Sequence, residues 1–499
     1  MGDNLYFSIL VTAMHYLEGA FEAESIAIVG ASNRPGSSGY RFTLHLIEYG
    51  YPGKIYPVTP HWGEVLGRKA YATIKDIPGP VEYVISCLPA HQLRNLISEC
   101  GDKGIKFIHL FTARLAETDK AALISYEKEL LKEAQKYNIR LIGPNCMGIY
   151  YPKKGRAFSY DFPMEPGKVG VFSQSGGNAA ELVNYASLRG IRFSKVVSYG
   201  NALDLNEVDF LDYLVLDPET KIIVGYVEGV KEGRRFFDSL RRGVTVKPII
   251  ILKGGKSSAG AKAAASHTAA LAGSASVWKT AMRQAGVIEA ETLEDLIDLL
   301  VSFYFLPRID GGRVGIFGGG GGRSVLSTDE WEEAGFTVPA LPEEIERYIH
   351  KTLPELWWGW MRNPVDISIL PEEQLKAGLN VKIMRMMAQS SAFDLLVANI
   401  LVGGPFQKSE LIDQAKKQAL NIIDVAKNGT KPMAVILNTG FLGAPHLVDQ
   451  RWKGLAEINS MLLESHLPVY RDSRQATGAI IRMIDYFRRV GYATRDDND

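Results

Sequence analysis

From Ser25 onward, short apolar runs alternate with amphipathic helical stretches, and this alternation constrains the fold more than any other feature of the chain. "SIAIVGAS", "GKIYPVTP", "VEYVISCLPA", "IKFIHLFTA" and "IRLIGPNCMG" read as buried strands, with helices such as "GYRFTLHLIEYGY" and "LISYEKELLKEAQKYN" between them. Apolar strands separated by helices pack as a parallel, doubly wound α/β sheet covered on both faces. The pattern predicts one such domain over 21–150, after a helical extension over 1–20, and "YYPKKGRAFSYDFPMEPG" follows as a Pro/Gly-bearing linker. A second α/β unit over 165–307 opens with "KVGVFSQSGGNAAELVNYASLRG" and closes with the helical "ETLEDLIDLLVSFYFLP". A third, over 310–486, opens with "GRVGIFGGGGGRSVLSTDEWEEAGF", so like the second that two related folds in tandem are expected. Residues 487–499 read as a disordered tail.

The 499 residues suffice for roughly three domains. With 56 basic and 56 acidic residues the net charge is zero, so there is no electrostatic case for nucleic acid or an anionic membrane, and anionic ligands need local sites. The cysteines, Cys87, Cys100 and Cys146, form neither a CxxC pair nor a metal-ligand cluster, and read as buried thiols in a reducing compartment. No metal site is expected. The apolar stretch Leu5–Leu17 is too short to span a bilayer and lacks a basic flank, so a cytoplasmic location is expected.

Three Gly-rich segments carry chemistry. Gly30–Gly39, between a strand and a helix, lets backbone N–H groups approach an anion at a helix start. It lacks GxGxxG, and the next strand ends Val58-Thr59-Pro60 with no acidic residue for a ribose, which argues against a nicotinamide oxidoreductase and for another phosphate-bearing nucleotide. Ser173, Gln174, Ser175, Gly176 and Gly177 combine hydroxyls with free N–H groups at another helix start, a phosphate site or an ordinary capped turn. Phe317–Ser324 misses the P-loop pattern at Phe317 and Arg323 and reads as the first turn of the third domain. The cluster Trp357-Trp358-Trp360 reads as a docking or packing surface.

The most informative segment is "KGGKSSAGAKAAASHTAALAG", Lys253–Gly273. It is built of Gly, Ala, Ser and Lys, contributes little to a core, and reads as a mobile loop ending in His267. Lys253, Lys256 and Lys262 would add positive charge near a phosphate. Taken alone, His267 is either a surface histidine or a covalent nucleophile whose ring a carboxylate orients, and that carboxylate has to come from elsewhere.

Taken in order, "IAIVGAS", "GKIYPVTP", "LIGPNCMGIYYP", "VFSQSGG", "DPETKIIVGYVEG", the histidine segment and "NPVDI" resemble the α part of the NDP-forming acyl-CoA synthetase superfamily, which includes succinyl-CoA synthetase. The resemblance covers about residues 15–485. It implies a Rossmann-like CoA-binding domain followed by two flavodoxin-like domains. It also implies an acid–thiol ligase reaction in three reversible steps. Acyl-CoA and phosphate give acyl phosphate and CoA, a histidine takes the phosphoryl group, and phosphohistidine passes it to ADP. His267 matches the phosphorylated histidine and Glu228 the glutamate that orients it. Ser173, Gln174, Ser175, Gly176 and Gly177 match the phosphate site. Gly30, Ala31, Ser32, Pro35 and Gly36 match the CoA loop, with His61, Cys87, Pro89, Thr112 and Asn145 along the CoA groove.

The chain departs from its relatives in three places. His61 stands where a lysine often helps to hold CoA phosphates, Thr112-Ala113-Arg114-Leu115 replaces "SAGF", and Gly177-Asn178-Ala179 replaces Ala-Leu-Gly. Arg114 is a candidate for the missing charge. No stretch reads as an ATP-grasp module, so the resemblance implies Mg-ADP/ATP on an ATP-grasp β subunit, an α2β2 assembly, and a small carboxylic acid substrate. The alternative is a non-catalytic CoA-binding regulatory or scaffold protein of the same fold.

Overall fold

The computed structural model of the chain describes residues 15–268, 274–354, 362–400, 409–438 and 450–490. It divides into two compact units, Met1–Leu293 and Glu294–Asp499.

The first unit contains two sheets. In one, β1 (Ser25–Val29), β2 (Lys54–Val58), β3 (Tyr83–Ser86), β4 (Phe107–Leu110) and β5 (Arg140–Ile142) run parallel in the order β2-β1-β3-β4-β5. β1, β3 and β4 are buried at every residue, as strands covered on both faces require. Pro57 is tolerated in β2 because that strand is the edge of its sheet, met on its outer side by the isolated bridge of Val58 with Tyr71, whose N–H the Pro57 carbonyl accepts. The order reverses between β1 and β3, so the connections leave these neighbours on opposite faces and open a crevice at their carboxyl ends.

The second sheet repeats this plan. β6 (Gly148–Tyr150), β7 (Val169–Ser173), β8 (Phe193–Ser198), β9 (Ile222–Val227), β10 (Ile249–Lys253) and β11 (Ile288–Ala290) lie in the order β11-β10-β9-β7-β8-β6. All are parallel except β6, which runs antiparallel to β8. Its crevice opens between β7 and β9. Gly148–Tyr150, read from the sequence as the end of the first domain, thus belongs to the second sheet. The following segment is no open linker, since Tyr151, Arg156, Phe158 and Phe162 are buried in it. The Arg156 guanidinium donates to the carbonyls of Ala20 and Phe21 at 2.5 and 3.1 Å and lies 4.4 Å from the Tyr83 ring centroid.

In the second unit β12 (Val314–Phe317), β13 (Leu395–Ile400), β14 (Met433–Leu437) and β15 (Val469–Tyr470) are parallel in the order β12-β13-β14-β15. The free side of β12 is met by two isolated parallel bridges, Arg313–Thr337 and Phe317–Val365. "NPVDI" therefore does a strand's work: Asn363 accepts from Ile316 N–H and donates to the carbonyls of Val314 and Pro339. Strand, Gly turn and helix (Val314–Phe317, then Gly321–Glu333) match the opening of the second sheet (Val169–Ser173, then Gly176–Leu188), as the tandem reading expects. The helix Leu293–Phe305, given to the second domain by sequence, packs on the last strand and helix of this unit. Asp295 pairs with Arg482, Ser302 Oγ and Tyr470 OH lie 2.8 Å apart, and Phe303 packs on Tyr486. The final helix, Ser473–Val490, runs past the expected tail boundary, and residues 491–499 and the Trp357–Trp360 cluster lie outside the described residues. Among the described residues no helix is long and apolar enough to cross a membrane, and no group of His, Cys, Asp and Glu is arranged to hold a metal ion.

A buried charge cluster ties β8 to the turn before β9 and to the segment that follows β6. Lys195, with its side chain 2% exposed, donates to Asp217 at 2.9 Å and Glu219 at 2.8 Å, and its ammonium lies 4.5 Å from the Tyr151 ring. Lys195→Met strands the Asp217 carboxylate in the interior. It is expected to destabilise the first unit by about 3–5 kcal/mol, read as an earlier transition of that unit in urea.

Candidate functional site

The Gly30–Gly39 turn is shaped by close approach. A Cβ on Gly39, at the start of the helix Ser38–Glu48, would lie 2.0 Å from the Gly30 carbonyl oxygen, and Gly30 itself adopts φ +87° against the Cys87 backbone. Ser37 caps the helix by accepting from Tyr40 N–H, and Ser32 Oγ accepts from Arg34 N–H at 3.0 Å. Ala31 is buried, Ser32 is partly covered, and Pro35 and Gly36 are exposed at the tip. His61 is exposed beyond the end of β2.

On the other side of the crevice, Thr112 Oγ1 donates to the Leu88 carbonyl at 2.7 Å and its own carbonyl accepts from Asn145 N–H at 2.9 Å. Asn145, in the left-handed region at φ 57°, heads the turn that joins the two sheets: Gly143 and Pro144 carbonyls accept from Leu203 and Asn201 N–H. Cys87 is half-buried, and burial pushes its thiol up to about 12. Cys100 and Cys146 are buried and burial raises both thiols, as expected of structural cysteines.

The phosphate-type turn after β7 faces the same space. Cys87, Pro89, Thr112 and Asn145 line one cleft of about 540 Å³ together with Ser175, Gly176 and Gly177. The helix Gly176–Leu188 starts here, with Ser175 Oγ accepting from Asn178 N–H. Ser173 and Gln174 lie behind this surface. Ser173 Oγ donates to the Ser175 carbonyl and accepts from Ser175 N–H, while Gln174 Oε1 accepts from the N–H groups of Glu228 and Gly229. Glu228, buried at the carboxyl end of β9, accepts from Tyr226 OH at 3.1 Å, and Lys253 Nζ donates to its carbonyl at 2.7 Å. Lys256 is turned to the carbonyl of Ala290 and the Glu291 carboxylate. Arg114 is exposed, with φ 67°, and its N–H is held by the Glu117 carboxylate.

The histidine segment is not the loop expected. Its backbone is helical over Ser258–Thr268, with Ser257 Oγ accepting from Gly260 N–H, because alanine and lysine are strong helix formers once a cap is supplied. This helix packs beside the turn Ala116–Thr118 at the carboxyl edge of the first sheet. His267 is its penultimate residue, and the His267 side chain lies outside the described residues.

Beneath the cleft lies a polar layer that sequence reasoning missed. Asn201 Nδ2 donates to Glu117 at 2.8 Å and to Glu127 at 3.4 Å, and Lys231 Nζ donates to the carbonyls of Asn201 and Ala202. Burial raises Glu127 and lowers Lys231. Glu207 is fully buried, and burial pushes its carboxyl up to about 7 against the pull of Lys231. The signal available was scattered: Lys231 follows β9, Glu117 lies in the turn after β4, Glu127 within the helix Ala121–Lys136 and Glu207 at the start of the helix Glu207–Leu216, and their convergence is non-local.

Family models match twice: a CoA binding domain over residues 24–152 and a succinyl-CoA ligase-like flavodoxin domain over residues 166–303. Together they define the class as a CoA-ligase-type chain. The α subunit of ADP-forming acetate–CoA ligase I from Pyrococcus furiosus is 33% identical over 469 residues, 93% of this chain and 96% of that one. An ADP-forming acetate–CoA ligase from Methanocaldococcus jannaschii is 36% identical over 346 residues, 69% of this chain but 48% of its own length. The solved structure of dinucleotide-forming acetyl-coenzyme A synthetase 1 of Ca. Korarchaeum cryptofilum, in complex with phosphate and ADP, matches with a TM-score of 0.80 at 30% identity, covering 97% of this chain and 100% of that one. The chain belongs to the family of ADP-forming acyl-CoA synthetases, of the α-subunit type, and such a chain implies a partner subunit.

Two outcomes test this geometry. Gly39→Ala drives a methyl group into backbone and is expected to cost about 1–3 kcal/mol of stability, whereas Gly177→Ala, whose Cβ would meet Ser175 Oγ at an ordinary contact distance of 3.9 Å, leaves the melting temperature within error. For Glu207 the folded state binds the proton more tightly than the unfolded chain. Its contribution is therefore complete below the ordinary carboxylate range and is lost as pH rises through about 7. Glu207→Gln cannot ionise, so its melting temperature should improve relative to wild type between about pH 5 and about pH 8.

Proposed function

We propose that the chain is the α subunit of an ADP-forming acyl-CoA synthetase that interconverts acyl-CoA, phosphate and ADP with carboxylic acid, CoA and ATP through phosphohistidine at His267. The observation that carries the reading is the single cleft shared by two crevices. Cys87, Thr112 and Asn145 from the first sheet face the helix start at Ser175–Gly177 from the second, with Glu228 at the next strand end. A thioester lying along the first wall meets a phosphate held by the second, since N–H groups and the dipole at a helix start favour an anion.

A phosphate oxygen attacks the thioester carbonyl and the CoA sulfur leaves with the bonding pair, giving acyl phosphate. A ring nitrogen of His267 then attacks phosphorus, and the bond to the carboxylate oxygen breaks. Glu228 accepts the other ring N–H and stabilises the positive charge that develops, and the Tyr226 hydroxyl fixes its carboxylate. Finally ADP takes the phosphoryl group and His267 returns to neutral. Ser175, Gly176 and Gly177 hold phosphate directly. Ser173 and Gln174 position that turn, and Gly30, Ala31, Ser32, Pro35, Gly36 and His61 border CoA. Mg-ADP binds an ATP-grasp β subunit, in an α2β2 assembly working in the cytoplasm. The Methanocaldococcus jannaschii relative, of which the match covers about half, supports a partner that supplies the remaining functions. The matches to ligases favour catalysis over a CoA-binding scaffold.

The purified chain, incubated with phosphate, Mg²⁺ and a panel of acyl-CoA esters with and without its partner, should gain one acid-labile phosphoryl group by intact mass. His267→Ala should abolish the label, and Glu228→Gln should slow its appearance by about 10–100-fold. A wild-type chain that binds CoA yet never labels with the partner present would overturn the catalytic reading.

A further inference from the structure

The histidine helix packs beside the turn Ala116–Thr118, and that turn ends the same loop whose Thr112 and Ala113 line the cleft. One loop is cleft wall at its start and helix seat at its end. The helix depends on such a seat. Its 11 residues, Ser258–Thr268, are too few for a helix to be stable by itself in water, and they include no large apolar side chain. Ala264 is buried all the same, and a Cβ on Gly255 would lie 3.1 Å from its methyl group, so the chain before the helix is folded back on it.

The seat is held from outside. Arg114 and Asp119, on either side of it, adopt left-handed backbone at φ 67° and 57°, a region that a Cβ disfavours. Carboxylates compensate. Glu117 bends back to accept from Arg114 N–H and, at 3.0 Å, from Leu115 N–H, while Glu127 in the next helix accepts from Ala116 N–H at 3.0 Å. Asn201, buried on the connection after β8, joins the two acids: its Nδ2 donates to Glu117 at 2.8 Å and to Glu127 at 3.4 Å. The same carboxamide accepts from Asn145 of the cleft at 3.4 Å, and Lys231 Nζ donates to the Asn201 carbonyl at 2.9 Å. The second sheet thus braces, through one buried carboxamide, the turn on which the histidine helix lies.

We infer that Glu117, braced by Asn201, is a positioning residue for transfer to His267: its carboxylate folds the seat, and the seat sets how much of the time the helix lies beside the cleft. Glu117 acts through the helix and touches no reactant. The kinetic half of this inference rests on the proposed function; the structural half does not. Hydrogen exchange of the full chain tests the seat. Glu117→Ala should speed amide exchange over 258–268 by about tenfold or more and leave the strands β1–β5 at their wild-type rates. Labelling of His267 by acyl-CoA and phosphate tests the consequence. At saturating acyl-CoA its rate should fall by about 10–100-fold, with the half-saturating concentration within about twofold of wild type. Glu117→Gln, which keeps one acceptor oxygen for the turn, should restore much of both. Wild-type exchange over 258–268 in Glu117→Ala, or faster exchange throughout the first unit, overturns the seat. Faster exchange confined to the helix with labelling unchanged, or with only the half-saturating concentration altered, overturns the positioning role. A wild-type chain that never labels overturns the reading beneath, and exchange still decides the seat.

Discussion

The carboxamide of Gln174 holds the second sheet's crevice in shape. Its oxygen accepts from two successive backbone N–H groups, those of Glu228 and Gly229, and so pins the turn after β9 to the turn after β7. All of this is buried, where a donor without a partner costs about 1–3 kcal/mol, and the bond cannot be exchanged for water. The consequence is geometric. With Gln174 in place, the helix start at Gly176 and the carboxylate of Glu228 keep a fixed relation, and the backbone turn becomes a site rather than a loop end. Ser173 does the same on a shorter range by closing the turn on itself through Ser175.

The same fold plan makes two crevices, and the chain sets them against each other. In both sheets the first of the parallel strands lies between the second and the third, so the reversal falls beside a Gly-rich turn each time. The turn Gly143–Asn145 passes between them and is bonded to Leu203 and Asn201 through backbone, with the Asn145 carboxamide also donating to that of Asn201 at 3.4 Å, which fixes the spacing of the two walls. The cleft is thus chiefly a property of backbone, and its chemistry is left to the few residues at strand ends.

The strand, turn and helix units were legible in the sequence because fully buried strands leave unbroken apolar runs, as in Ile26–Val29 and Val169–Phe172. Glycines that a backbone approach demands were legible too, since few other reasons place Gly30 between a strand and a helix. The rest depended on direction and on distance along the chain. Ser173 and Gln174 differ from Ser175 only in which way they point, which no composition reveals. Leu293–Phe305 is apolar on a face that fits either neighbour, and only Arg482 and Tyr470, far along the chain, decide it. The histidine segment looked like a loop because it lacks large apolar residues, yet alanine needs none to be helical. Asn201 and Glu207 lie on the connection after β8 and Lys231 on the one after β9, and they acquire meaning only once folded together.

The distribution of charge fits a group that has to be handed on. Two of the three lysines of the histidine segment are engaged elsewhere, Lys253 with the carbonyls of Glu228 and Gly254 and Lys256 at the end of β11. The layer below the cleft holds Glu117, Glu127 and Glu207 against Lys231. On the proposed reading, the phosphoryl group is then held chiefly by backbone N–H groups and a helix dipole. These are preorganised and modest in strength, each worth far less than a buried ion pair. A tight cationic clamp would stabilise phosphate, acyl phosphate and phosphohistidine alike, and uniform binding of that kind deepens wells without lowering the barriers between them. A dipolar cradle beside one orienting carboxylate instead favours the moment at which positive charge develops on the imidazole, which is the step the whole transfer turns on.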